Sequence, residues 1–154
     1  MKLYFLCQRH KQWLKSHPDQ AVNTWLRAHD LAVDQVQAGD YSDALSSAGS
    51  ALEAADIALA AGALAESAAI RQYANTAGNL ATLLFAVRQC DMGQQILHNS
   101  IKNLHVMLHD GADRSTVMAA VGELMHCGEG IPSGAAPPSD TTLPDIPQGS
   151  RLLH

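Results

Sequence analysis

Apolar residues recur at spacings of three and four along most of the chain, and glycine, proline and aspartate cut this pattern into six segments. Such spacing puts side chains on one face of a helix, so the chain reads as helical almost throughout. Leu3, Leu6, His10 and Trp13 mark a short first helix ending near Ser16. In "SHPDQ", Pro18 suits a first helical turn, where its missing N–H is not needed, and Asp19 favours the positive end of the helix dipole. The second helix carries Val22, Trp25, Leu26, His29, Ala32, Val33 and Val36 as its stripe and stops at Gly39, a residue that accepts a left-handed C-terminal conformation. Asp40 suits the N-cap of a third helix, with Asp43 in its first turn; Tyr41, Ala44, Leu45, Ala48, Ala51, Leu52, Ala55 and Leu59 trace one face of it as far as Gly62.

A long fourth helix reads Ile70, Tyr73, Ala77, Leu80, Leu84 and Val87. Its late part, "LATLLFAV", is apolar all round, which predicts burial all round and a place at the centre of the packing. "QCD" at 89–91 reads as a tight corner. Leu97, Ile101, Leu104 and Leu108 define a fifth helix ending at Asp110-Gly111; Val117, Val121, Leu124 and Met125 define a sixth ending at Gly128. The remainder, "GEGIPSGAAPPSDTTLPDIPQGSRLLH", holds all but one of the prolines and no helical stripe. It has too little apolar surface to offset its ordering entropy. The expectation is a helical domain over 1–127 and a flexible tail over 128–154, with "LPDIP" and "SRLLH" as candidate linear motifs.

Composition narrows the fold. The length of 154 residues suits one domain with its own core. Hydrophobic residues make up 47% of the chain but aromatics only 5%, and much of the apolar fraction is alanine. Small side chains of that kind suit closely packed helices better than stacked sheets. The fold class is therefore all-α, with five or six antiparallel helices in a compact bundle.

Charge and cysteine usage exclude some functions. A formal net charge of −5 disfavours a phosphate-backbone binder, which needs clustered Lys and Arg. The one basic concentration, "QRHKQWLK" at 8–15, reads as a solvated helix face. Cys7, Cys90 and Cys127 are too few and too scattered for a disulfide framework or a CxxC metal site, and suit reduced thiols. No run approaches a membrane span, and the apolar start of "MKLYFLCQRHK" is too short for a signal-peptide core. The cytoplasm is the expected location, with neither nucleic acid nor membrane as partner.

Shifting the chain by 51 positions lays "VQAGDYSDALSSAGSAL" over "VRQCDMGQQILHNSIKN", with Val36 on Val87, Asp40 on Asp91 and Leu45 on Ile96. Both segments read as helix, corner, helix, the mark of repeated helical hairpins. At Gly39-Asp40-Tyr41, followed by Ala44, Leu45, Ala48, Ala51 and Leu52, residues 25–56 resemble the tetratricopeptide repeat. In that family Gly-x-Tyr makes the corner and small residues on the second helix let two helices approach closely. Leu31 falls in the family's leucine slot and Ala32 where a glycine usually sits. Departures are also present. Ala28, Gln35 and Asp56 stand where the family has tryptophan, tyrosine and proline; Cys90 replaces the second corner's glycine; Gln95, Asn99 and Lys102 replace its packing alanines. The offset of 51 exceeds the family's repeat of about 34, implying helices about two turns longer.

The resemblance implies a non-catalytic module that binds an unidentified protein or peptide partner on an inner surface built by the first helix of each hairpin. Residues carried over onto that surface are Leu26, His29, Val33 and Val36 from the first hairpin and Leu80, Leu84 and Arg88 from the second. The same mostly apolar positions also suit plain core. A homodimer in which another copy completes "LATLLFAV" is a further expectation. The alternative class is a metal-binding bundle: His98, His105 and His109 fall within about 40° of one another on a helix, and an i, i+4 pair can present two imidazoles to one metal. No HEXXH motif accompanies them, their stripe borders the buried face, and His126-Cys127 would have to fold back to complete a site. No cofactor is implied. Enzyme chemistry finds no support, since there is no nucleophile elbow and no phosphate-cradling loop. Glu53 and Asp56, three apart, read as surface patterning, and Cys7 with His10 lacks an orienting third group.

Overall fold

A computed structural model describes residues 5–62 and 67–129. Among these residues there are six helices and no strand: α1 (Gln8–Ser16), α2 (Pro18–Gln37), α3 (Tyr41–Ala60), α4 (Ser67–Ala86), α5 (Cys90–His109) and α6 (Arg114–Glu129). The chain is an all-α bundle of hairpins. The expected tail, with its two candidate motifs, lies outside the described residues except for Gly128 and Glu129, which belong to α6.

The α2–α3 pair forms the most extensive helix contact. Ala44, Ala48 and Ala51 are buried, and so are Gly49, Ala54, Ala55 and Ala58 of the same helix. Alanine leaves no bulk between two backbones, so α3 is close-packed on several sides at once, against α1, α2 and α4. The fourth helix occupies the centre as its apolar stretch requires: it packs on α3, α5 and α6, and Ile70, Tyr73, Ala77, Leu80, Ala81, Leu83 and Leu84 are buried. Within "LATLLFAV", Thr82, Ala86 and Val87 are exposed and Phe85 is half-buried.

Three corners share one construction. At the end of α2, Gly39 N–H donates to Val36 O (3.0 Å) and Asp40 N–H to Gln35 O (2.8 Å), with Gly39 in the left-handed region at φ 86°. This double bond pattern closes a helix by satisfying its last carbonyls. After α5 it recurs at Gly111 and Ala112, and after α4 at Arg88, whose N–H donates to Phe85 O, and Gln89, whose N–H donates to Leu84 O. Asp40 therefore uses its amide to close α2 and makes no side-chain cap on α3.

The Arg88 corner corrects the offset of 51. Pro18 and Ser67, like Tyr41 and Cys90, start corresponding helices 49 positions apart. Gly39 thus corresponds to Arg88 rather than Cys90, and Ala44, Ala48 and Ala51 correspond to Gly93, Leu97 and Ser100, all buried. The corner falls at Val87–Gln89, two residues before the expected "QCD". An arginine where a glycine belongs removed the one signal that would have set the register. In the 49 offset two of the three packing slots keep small residues, Gly93 and Ser100, so the echo is better preserved than the sequence suggested.

Other expectations change too. Cys7 caps α1, accepting a hydrogen bond from His10 N–H (3.4 Å), so the helix starts later than the Leu3–Trp13 stripe implied. Leu14 is its buried residue, while Trp13 is exposed and stacks on His17. Met125 is 57% exposed, off the core-facing side of α6, and Leu31 is 50% exposed despite its leucine slot. Gly128 does not stop α6; a Cβ there would press on Leu97 of α5, so a small residue suits the crossing.

Three substitutions test this packing and its corners. A non-glycine residue in the left-handed region costs roughly 1–2 kcal/mol, and Arg88 sits there at φ 64°. Arg88→Gly should raise stability by about 1 kcal/mol in urea denaturation. A Cβ on Gly93 would overlap the Phe85 ring, whereas one on exposed Gly122 meets nothing. Gly93→Ala should destabilise by about 1–3 kcal/mol, and Gly122→Ala should stabilise by about 0.5–1 kcal/mol through helix propensity.

Candidate partner-binding face

The first helices of the two hairpins, α2 and α4, meet across large side chains rather than alanines. Trp25 Nε1 donates to Thr76 Oγ1 (2.9 Å), Thr76 Oγ1 donates to the Gln72 carbonyl (2.9 Å), and His29 Nδ1 lies 3.2 Å from the same oxygen. With the hydroxyl proton committed to Gln72, the network assigns the imidazole proton to Nδ1. Every polar atom of this buried cluster facing Thr76 is thereby satisfied. Burial pushes the His29 pKa down from its usual value, with Asp30 opposing, so the folded protein favours the neutral ring.

Towards the C-terminal end of α2 the two helices part and leave a groove of about 130 Å³, lined by Ala32, Val33, Val36 and Gln37 from α2 and Asn79, Thr82 and Leu83 from α4. The seven expected inner-surface residues divide. Val33 and Val36 line this groove, and Leu26 is exposed (40%) about two turns before Val33 on α2. His29 is buried in the Trp25–Thr76 cluster. Leu80 and Leu84 are core residues, each 1% exposed, and face a separate cavity beside α3 and α5. Arg88 forms the exposed corner after α4. What α4 contributes to the groove is Asn79, Thr82 and Leu83. A helix that is apolar all round hides which face points outward; its polar interruptions, Asn79 and Thr82, were the available signal.

The fifth-helix histidines stay apart from any cluster. His98, His105 and His109 are all exposed; His98 lines a shallow groove with Met125 and Glu129 of α6. His126 Nδ1 and Glu129 Oε2 lie 3.2 Å apart on α6 itself. Among the described residues no three His, Cys, Asp or Glu side chains are grouped to hold a metal. Cys7 and Cys90 are exposed free thiols, Cys127 is half-buried, and burial with nearby Glu123 pushes the Cys127 thiol pKa up. No described helix is long and apolar enough to cross a membrane.

No protein-family model matches the chain, and neither does any curated protein or solved structure.

The Trp25–Thr76–His29 cluster is testable. Thr76→Val keeps the shape but leaves Trp25 Nε1 buried without an acceptor, so it should cost about 1–3 kcal/mol in urea denaturation. Because the folded-state pKa of His29 is lowered, the unfolded chain takes up its proton first as pH falls past the ordinary histidine value of about 6.5. The stability His29 supplies is complete above that pH and is lost as pH falls through the folded value. The stability difference between wild type and His29→Leu should therefore shrink from pH 8 to pH 5.

Proposed function

We propose that the protein is a non-catalytic, tetratricopeptide-repeat-like interaction module of the cytoplasm, binding a protein or peptide partner in the α2/α4 groove. The observation that carries this reading is the groove itself. Val33, Val36 and Leu83 present an apolar floor, Asn79 and Gln37 supply hydrogen-bonding groups at its edge, and Leu26 extends the apolar line along α2. A partner helix or extended segment recognised there would place one or two apolar side chains in the groove and use the amides for orientation. The paired helices with small residues at the seams, Ala44, Ala48 and Ala51 in one hairpin and Gly93 and Ser100 in the other, support kinship with repeat modules. Uncommitted thiols at Cys7, Cys90 and Cys127 fit a reducing compartment. Leu80, Ala81 and Leu84 are buried within the chain, so a second copy completing "LATLLFAV" would have to meet its exposed residues, Thr82, Ala86 and Val87.

Leu84 is too deeply buried to report on binding, so the informative pair is Val33→Glu with Thr82→Glu. That double variant should lose capture of the partner from host extract, as read by photocrosslinking at position 79, while circular dichroism stays helical. Retained crosslinking of the same partner by the variant would reject the groove.

A further inference from the structure

On a different face of α4 lies a larger cavity, about 370 Å³, bounded by the segment at Phe5 and by α1, α3, α4 and α5. Its walls are mostly apolar, and its volume falls at the lower end of small-molecule sites, roughly 300–1,000 Å³. Four charged side chains line it: Lys11 and Lys15 from α1, and Glu53 and Asp56 from α3. Three of them are otherwise placed. Glu53 accepts hydrogen bonds from the Phe5 and Leu6 amides and pairs with Lys11 at 3.0 Å, tying the N-terminal segment down onto α3. Lys15 is exposed at the rim, where its ammonium keeps its water.

Asp56 differs. Tyr73 Oη donates to its Oδ1 (2.9 Å), Asn103 Nδ2 lies 3.3 Å from the same oxygen, and Asn103 also donates to Tyr73 Oη (2.9 Å). Both contacts fall on Oδ1, and no hydrogen bond engages Oδ2 among the described residues. Yet Oδ2 is not sealed: the one sealed, unpartnered side-chain polar atom among those residues is Tyr41 Oη. This half-buried residue lines the cavity. A carboxylate fixed by Tyr73 and Asn103, with one oxygen open to an apolar pocket, is an acceptor prepared for a cation.

We propose that this cavity binds a small amphipathic primary amine, its ammonium on Asp56 Oδ2 and its carbon chain over Leu52, Leu80, Leu84 and Ile96. The side-chain oxygens of Gln95 and Asn99, which also line the cavity, can accept the other ammonium protons. An anionic ligand would have to rely on Lys15 at the rim while placing its chain beside an unneutralised Asp56. The inference stands apart from the α2/α4 groove, which shares no lining residue with the cavity.

Asp56 also sets a pH dependence. Burial raises its pKa to about 6, Glu53 on the same helix adds to the rise, and the hydrogen bonds from Tyr73 of α4 and Asn103 of α5 oppose it. Lys11 and Lys15 of α1 are the cations facing the same cavity. Amine binding needs the ionised form, so affinity should rise with pH through this value.

The test is titration calorimetry on the full chain with n-octylamine, n-octanoate and n-octanol at pH 7.5, each below its aggregation concentration. Octylammonium should bind at least about tenfold tighter than the other two, because only it gains the charge-assisted bond. Asp56→Asn keeps an acceptor for Tyr73 and should bring the amine's affinity down to that of octanol. Lys15→Ala should leave it unchanged or raise it. Equal or tighter binding of octanoate, an undiminished amine affinity in Asp56→Asn, or no binding of the amine by folded protein would overturn the proposal. Should Asp56→Asn fail to fold, the wild type decides. Its affinity for octylammonium should fall about tenfold from pH 7.5 to pH 5 while that for octanol holds, and a flat profile overturns the proposal.

Discussion

The close approach of α2 and α3 is the constraint on which the rest of the molecule depends. Ala44, Ala48 and Ala51 put only methyl groups between the two backbones, so the helices lie flush along their shared length. Each methyl buries little apolar surface, and no single one is worth much. Their effect is collective: a thin seam brings many backbone and Cβ atoms within dispersion range and leaves no volume for a larger residue. Small residues recur on several sides of α3, so α1, α2 and α4 can all reach it, and Phe5 settles against Gly49. A bulky side chain at any of these places would separate more than one pair of elements.

Thin seams hold helices close but do not fix how they slide, since a row of methyls presents little relief. Polar clusters supply that information here. Trp25, His29 and Thr76 join α2 to α4; Asp56, Tyr73 and Asn103 join α3, α4 and α5; Glu53 and Lys11 join α3 to α1. Each cluster has few geometries in which its donors and acceptors are all satisfied, and a slipped helix would leave some of them buried and unpaired. The central helix α4 belongs to two of the three clusters. Its position therefore governs both the groove it forms with α2 and the cavity it floors beside α3.

The groove and the cavity suit different chemistry. Between α2 and α4 the open space is small and its edge carries neutral amides, the features on which the proposed polypeptide-binding groove rests. Beside α3 the space is larger, and one oxygen of its carboxylate makes no hydrogen bond, the feature on which the proposed amine site rests.

Helices, corners and the small-residue seam of the first hairpin were legible in the sequence, because each depends on residues near one another in the chain. Gly39 ends α2 by its own conformational freedom, Pro18 opens α2 without a lost hydrogen bond, and alanines three and four apart define a seam wherever their helix packs. The candidate site was only half legible. Val33 and Val36 line the groove, but Leu80 and Leu84 are core, and on α4 the lining residues are Asn79, Thr82 and Leu83. A helix apolar on every side carries no label for the face that its neighbours leave open. Glu53 and Asp56 looked like surface carboxylates for a related reason: their partners Phe5, Lys11, Tyr73 and Asn103 lie on other elements, and spacing along one helix says nothing of them. Local sequence determined where the chain turns and which residues are small enough to pack. Which polar groups meet, and which surfaces remain open, depended on the summed geometry of several helices.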